Sequence, residues 1–176
     1  MKKIFQRAAT VLLGAAFVLS TTSANAQQDK SKRPSPPATV TQTVKGTTIT
    51  IDYSRPSVKG RNVWEGNFAP YGKVWRTGAN EATIFTVDKD VKVNGKTLPA
   101  GKYSLFTIPG EKEWTIIFNK TAEQWGAYKY DSTADQLRVT AKPKANAMTE
   151  QFTINITPKG VVELMWDKVK VPFTVK

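Results

Sequence analysis

Hydrophobic and polar residues alternate with a period of two along most of the chain. Ile49, Ile51 and Tyr53 alternate with Thr48, Thr50 and Asp52, and Lys45-Gly46 ahead of them reads as a turn. Successive side chains of an extended chain point to opposite faces, so this pattern predicts a half-buried strand. Val91 and Val93 run into Asn94-Gly95, a pair that accepts the positive φ needed at both centres of a type I′ turn, and Leu98 begins the return. Pro99-Ala100-Gly101 reads as another turn before Tyr103 to Ile108, and Pro109-Gly110 fits the centre of a type II turn. Trp114 to Phe118 is apolar on both faces, as in a central strand. Leu137, Val139 and Ala141 alternate, as do Phe152, Ile154 and Ile156. Val162, Leu164 and Trp166 follow Lys159-Gly160, and Val169, Val171, Phe173 and Val175 finish the chain. Roughly eight to ten short strands at about 8–12 residue spacing predict an all-β, single-domain antiparallel β-sandwich, jelly-roll-like or barrel-like. At most one short helix is expected, over Thr121 to Tyr130, with Thr121 as N-cap and Glu123 in the first turn.

The amino terminus departs from that pattern. Lys2, Lys3 and Arg7 precede a short uncharged apolar run from Val11 to Leu19, and Ala24-Asn25-Ala26 has the small-x-small form of a cleavage site. The run is short of the ~20 residues a membrane span needs, so residues 1–26 read as a secretory signal cleaved near Ala26. The mature protein is then expected to be soluble, with no transmembrane span, in the periplasm or secreted. Residues 27–38 hold Pro34, Pro36 and Pro37 with no apolar periodicity, and read as a flexible lead-in to a β-sandwich domain over 39–176.

Composition narrows the chemistry. The 176 residues contain neither histidine nor cysteine, which excludes imidazole bases, Ser-His-Asp and Cys-His nucleophile pairs, disulfides and thiolate or imidazole metal sites. The net charge of +12 falls to +9 once Lys2, Lys3 and Arg7 leave with the signal. A basic chain with interleaved aromatics invites a nucleic-acid reading, but an exported protein rarely meets nucleic acid in its working compartment, and no nucleic-acid partner is expected. The spaced pairs Asp88/Asp90 and Asp131/Asp135 do not form a calcium loop. No metal and no cofactor is assigned, and no oligomeric state is read.

What remains concentrates in residues 53–81. This stretch holds Arg55, Lys59, Arg61, Lys73 and Arg76 against only Glu65 and Glu81, together with Tyr53, Trp64, Phe68, Tyr71 and Trp75. Glycines and prolines keep it in loops, and a long basic aromatic loop in a small sandwich is often functional. Arginine forks suit carboxylate, phosphate or sulfate, and tryptophan and tyrosine faces suit flat ligands or sugar rings. Thr77-Gly78-Ala79-Asn80 is a weak candidate for offering backbone N–H groups to an anion. The bland alternative is that Trp64, Phe68 and Trp75 plug one end of the sandwich while the arginines pair with Glu65, Glu81 or Asp52.

Three segments also carry a resemblance: Tyr53 to Arg61, Pro70 to Thr83, and Pro99 to Pro109. They are similar to an exported bacterial family, number 2911 among the domains of unknown function, and the likeness covers nearly the whole mature chain. The resemblance implies an exported, mostly β domain and no activity. Three functional readings follow. The first is non-catalytic binding of a carbohydrate or anionic small ligand by Tyr53, Arg55, Arg61, Trp64, Tyr71, Trp75, Arg76, Asn80 and Glu81. The second is a carboxylate hydrolase using Glu65 and Glu81, which as a glycosidase requires carboxyls about 5–5.5 Å or 6.5–9.5 Å apart. The third is a structural or interaction protein of the cell envelope, with no catalytic residue.

Overall fold

The alternation becomes ten strands in a computed structural model that describes residues 29–176. The expected signal sequence lies outside those residues. The strands are β1 (Pro37–Val44), β2 (Thr47–Ser54), β3 (Thr83–Val87), β4 (Val91–Val93), β5 (Lys96–Leu98), β6 (Gly101–Ile108), β7 (Trp114–Asn119), β8 (Asp135–Ala141), β9 (Lys144–Ile156) and β10 (Val161–Thr174). Six form one antiparallel sheet in the order β1-β2-β3-β6-β7-β8. The β9–β10 hairpin and the β4–β5 hairpin are separate ladders, joined by a bridge between Val93 and Val175. Together they make a second layer over the main sheet. Tyr53 meets Phe152 edge-on across the two layers at 5.8 Å, and Phe118 meets Phe173 at 6.2 Å.

Period-two patterning explains which side chains meet. Ile49, Ile51 and Tyr53 of β2, Phe85 and Val87 of β3, and Trp114, Ile116 and Phe118 of β7 fill one core with Phe152, Ile154 and Ile156 of β9. Removing this much apolar surface from water is the main favourable term for such a fold. β6 and β7 are buried on their outer face too. There Phe106 and Ile117 pack with Ala82 under Val74, Ala127 and Tyr130.

Three local expectations are corrected. Thr121 to Tyr130 is a chain of turns, not a helix. The Ser104 hydroxyl donates to the Thr121 and Ala122 carbonyls at 2.7 and 2.8 Å, and Gly126 N–H donates to Asn80 O, so this stretch is tied to other elements where a helix would bond within itself. Gly110 does not take the positive φ of a type II turn; residues 109–113 make a longer connection. Glycine is still needed there, because a Cβ would run into the Glu113 carbonyl oxygen. The final two runs, expected as separate short strands, are one long β10. Register shifts around Asp167 absorb the switch from even buried positions (Val162, Leu164, Trp166) to odd ones (Val171, Phe173, Val175).

The lead-in also has order within the described part. A 3-10 turn covers Lys30–Lys32, and β1 starts at Pro37.

Candidate functional site

The connection between β2 and β3, residues 55–82, holds all but one of the nine candidate residues and divides them into two neighbouring assemblies. The first is an aromatic plug. Trp75 is pinned to β6 by a reciprocal pair of backbone hydrogen bonds with Thr107, 2.7 and 2.9 Å, which turns its ring into the core. It stacks on Trp166 at 5.5 Å, and its Nε1 donates to the Gly78 carbonyl at 3.0 Å. Trp64 meets Trp114 and Trp166 edge-on and stacks on Tyr71 at 6.2 Å. The β10 bulge aims the Asp167 carboxylate at Trp64, whose Nε1 donates to it at 3.1 Å. Tyr53 is buried as well, its hydroxyl accepting from Ile154 N–H at 3.1 Å. These rings have their faces against other rings or the core. Tyr71 keeps one exposed side, and burial pushes its hydroxyl above the ordinary pKa, helped by Glu111, Asp167 and Glu65.

The charged candidates do not pair with the acids of their own stretch. Arg55 Nε donates to the Phe152 carbonyl at 3.1 Å and Nη2 to Thr153 Oγ1 at 2.8 Å, stapling the connection to β9. Arg61 donates to the carbonyls of Val58 and Ser57 at 3.0 and 2.7 Å and lies over the Phe68 ring at 3.9 Å. Glu81 is taken by the lead-in. Arg33 Nη1 donates to both its carboxylate oxygens, at 3.0 and 2.8 Å, and Lys30 approaches to 3.2 Å. Burial pushes Glu81 upward, but hydrogen bonds from its own backbone, Arg33 and Lys30 outweigh it, so the carboxyl sits below its ordinary 4.5. A lowered, ion-paired carboxylate is a poor general acid at neutral pH. Glu65 is exposed, and the two acids are not gathered into one cleft.

The second assembly is a cleft of about 360 Å³ beside the plug. Of the nine candidates it brings together Arg61, Trp75, Arg76 and Asn80; Tyr53, Arg55, Trp64, Tyr71 and Glu81 lie outside its lining. Lys59 adds a third cation, and no Asp or Glu lines it. Arg76 is the unusual member. Its Nε is buried without a hydrogen-bond partner among the described residues, and burial pushes the guanidinium below its ordinary pKa, with Tyr128 opposing. Trp166 Nε1, from the same lining, is a second buried donor without a partner there. Native structures leave few such groups unsatisfied, because each costs about 1–3 kcal/mol. Three cations and two residues with unused buried donors, with no carboxylate, give the cleft a positively charged, donor-rich lining.

The loop 77–80 builds one wall. Thr77 and Asn80 have φ of 54° and 59°, and a Cβ on Gly78 would lie 2.9 Å from the Ser54 carbonyl, so the chain turns tightly against β2. The carbonyls of Arg76, Thr77, Gly78 and Asn80 all accept hydrogen bonds that hold the loop, from Thr83 N–H, Thr83 Oγ1, Trp75 Nε1 and Gly126 N–H. Pro34 and Ser35 form another wall, fixed by Asn80 Nδ2, which donates to the Ser35 carbonyl at 3.0 Å. Sequence reasoning did not place Trp166, Tyr128, Asn67 or these lead-in residues at a site. Trp166 lay on an alternating strand, the signature of core, and the lead-in carried no periodicity at all.

No cluster of metal-ligating side chains occurs among the described residues, and none of their helices is long and apolar enough to cross a membrane. No curated protein and no solved structure matches the chain. A family model does match, over residues 35–175, from the wall of the cleft to the end of the second layer, and the chain accordingly belongs to the family described as protein of unknown function (DUF2911).

Proposed function

We propose that the protein binds a small anionic ligand, without catalysis, in the cleft around Arg76. One observation carries the reading. Two buried donors, Arg76 Nε and Trp166 Nε1, have no partner among the described residues, and both residues line a cleft that carries Lys59, Arg61 and Arg76 and no acid. An anion supplies the acceptors and the countercharge together. A neutral sugar is less well supported, because Trp64 and Trp75 spend their ring faces on Tyr71 and Trp166. A carboxylate hydrolase is less well supported, because Glu81 is engaged by Arg33 and Lys30.

The same reading has the protein work outside the cytoplasm. Its support is the basic, apolar, small-residue order of residues 1–26, and the intact mass of protein purified from the host's exported fraction tests it. The binding itself is tested by calorimetric titration with inorganic phosphate, sulfate and succinate. Arg76→Gln is expected to weaken the bound anion by roughly tenfold to a hundredfold, the equivalent of one hydrogen bond to a charged group. Trp166→Phe, which keeps the ring and loses the N–H, is expected to weaken it less. Equal binding by wild type and both variants, or no binding of any of the three anions, contradicts the reading.

A further inference from the structure

The cleft does not end at Arg76. A second one, about 470 Å³, shares Arg76, Asn67, Phe68 and Tyr128 with the first and continues along the other part of their lining. It adds one cation, Lys73, and again no acid. Lys73 is held in place by its backbone, whose N–H donates to the Pro70 carbonyl at 3.2 Å. Arg76 is thus the partition between two basic compartments, and a guanidinium with five N–H donors in a rigid fork can serve an acceptor on each side. A single small anion fills one compartment and leaves Lys73 unanswered.

Resting on the anion-binding reading above, we propose that the ligand is linear and carries two anionic groups, one beside Lys59, Arg61 and Arg76 and the other beside Lys73. Once the first group is bound, the second is held at a high effective concentration near Lys73, so affinity rises with ligand length without any change in the first compartment. A flat or extended linker between the groups would pass Phe68 and Tyr128, two exposed aromatic side chains that border both compartments.

The experiment is a titration series with inorganic phosphate, pyrophosphate and tripolyphosphate, and in parallel with acetate, succinate and adipate. It uses wild type, Lys73→Gln and Lys142→Gln, the last an equal charge change at an exposed position outside both clefts. Affinity is expected to rise about tenfold along one series in wild type and in Lys142→Gln, the scale of a tethered second contact. Lys73→Gln is expected to keep the affinity for the single anion and lose the rise. The series that shows this Lys73-dependent rise tells whether the groups are phosphates or carboxylates. Single anions that bind with no rise in either series overturn the two-group ligand while leaving simple anion binding intact. So does a rise that survives in Lys73→Gln or disappears equally in Lys142→Gln. If no single anion binds wild type, the anion reading itself fails.

Discussion

Arg138 and Arg76 stand beside two tyrosines of the same turn, Tyr130 and Tyr128, and are surrounded in opposite ways. Arg138 closes on its neighbours: Nε donates to Asp135 Oδ2 at 2.7 Å and Nη2 to the Tyr130 hydroxyl at 2.6 Å. The same carboxylate accepts from Tyr130 at 2.6 Å and from Asn119 Nδ2 at 2.8 Å. Arg76 has no carboxylate beside it and leaves Nε without a partner among the described residues. The pKa directions follow. Asp135 holds Arg138 above its ordinary value, whereas burial holds Arg76 below it. A satisfied cluster braces a loop against the sheet. An unsatisfied one of the same residue type costs stability, and the proposed anion binding gives the reason for keeping it.

The largest expected effect breaks the closed cluster. Asp135→Ala removes the acceptor of three side chains and should lower stability by about 2 kcal/mol in urea unfolding. The Arg138 share is small, because that side chain is 43% exposed and its pairing is screened by water. Phosphate binding by the folded variant should not change. A variant as stable as wild type would remove the contrast between the two arginines.

A smaller effect comes from Tyr130→Phe, at about 1 kcal/mol: the bond donated to Asp135 and the one accepted from Arg138 are both lost, but the half-exposed Arg138 turns to water instead. It carries a pH signature. Burial, then the hydrogen bond and charge of Asp135, push the Tyr130 hydroxyl up from 10.0 to about 12. The folded state therefore favours the protonated phenol. Its contribution is complete below the ordinary 10.0 and is lost as pH rises through about 12. Urea midpoints across that window should fall in wild type and fall less steeply in Tyr130→Phe; equal slopes would disprove the assignment.

The smallest effect sharpens the open side. Arg33→Ala should cost at most about 1 kcal/mol, since the Glu81 side chain it pairs with is 38% exposed. Amide exchange over residues 29–35 should nonetheless quicken, because this ion pair ties the Pro34–Ser35 wall to the sandwich. Glu81 has a lowered pKa, so its contribution is present above the ordinary 4.5 and is lost as pH falls through the lower folded value. Acid should therefore lower the protection factors of these amides, corrected for the slower intrinsic exchange at low pH, in wild type, and lower them less in Arg33→Ala, where only Lys30 still pairs with Glu81. Exchange that ignores both changes would show that the wall is held by Asn80 and the prolines.

The strands were legible because alternation is local. Even the bulge at Asp167 has a sequence trace, the parity switch between Trp166 and Val169, since one extra residue flips every later side chain. The helix expected over 121–130 failed because its competitors are distant in sequence: Ser104 and Asn80 take part in the bonding there. The stretch 53–81 was legible as unusual, and the structure divides it between packed rings and a cleft lining. Trp64 and Trp75 are a plug, and Arg76 lines a cleft beside them. The pairing of Glu81 with Arg33 spans 48 residues and leaves no local pattern, and neither does the unused Nε1 of Trp166 on a core strand.

Chemical denaturation of Arg76→Gln, with and without phosphate, tests the central claim most directly. If Arg76 is kept for a ligand, the variant without phosphate is as stable as wild type or more so, because an uncompensated, partly buried charge is gone. Phosphate at about a hundred times the wild-type dissociation constant then stabilises wild type by about 2.7 kcal/mol and the variant, with its tenfold to hundredfold weaker binding, by only about 0.4–1.4 kcal/mol. A variant that loses about 2 kcal/mol without phosphate, and gains as much as wild type when it is added, would make Arg76 a structural brace like Arg138 and contradict the account.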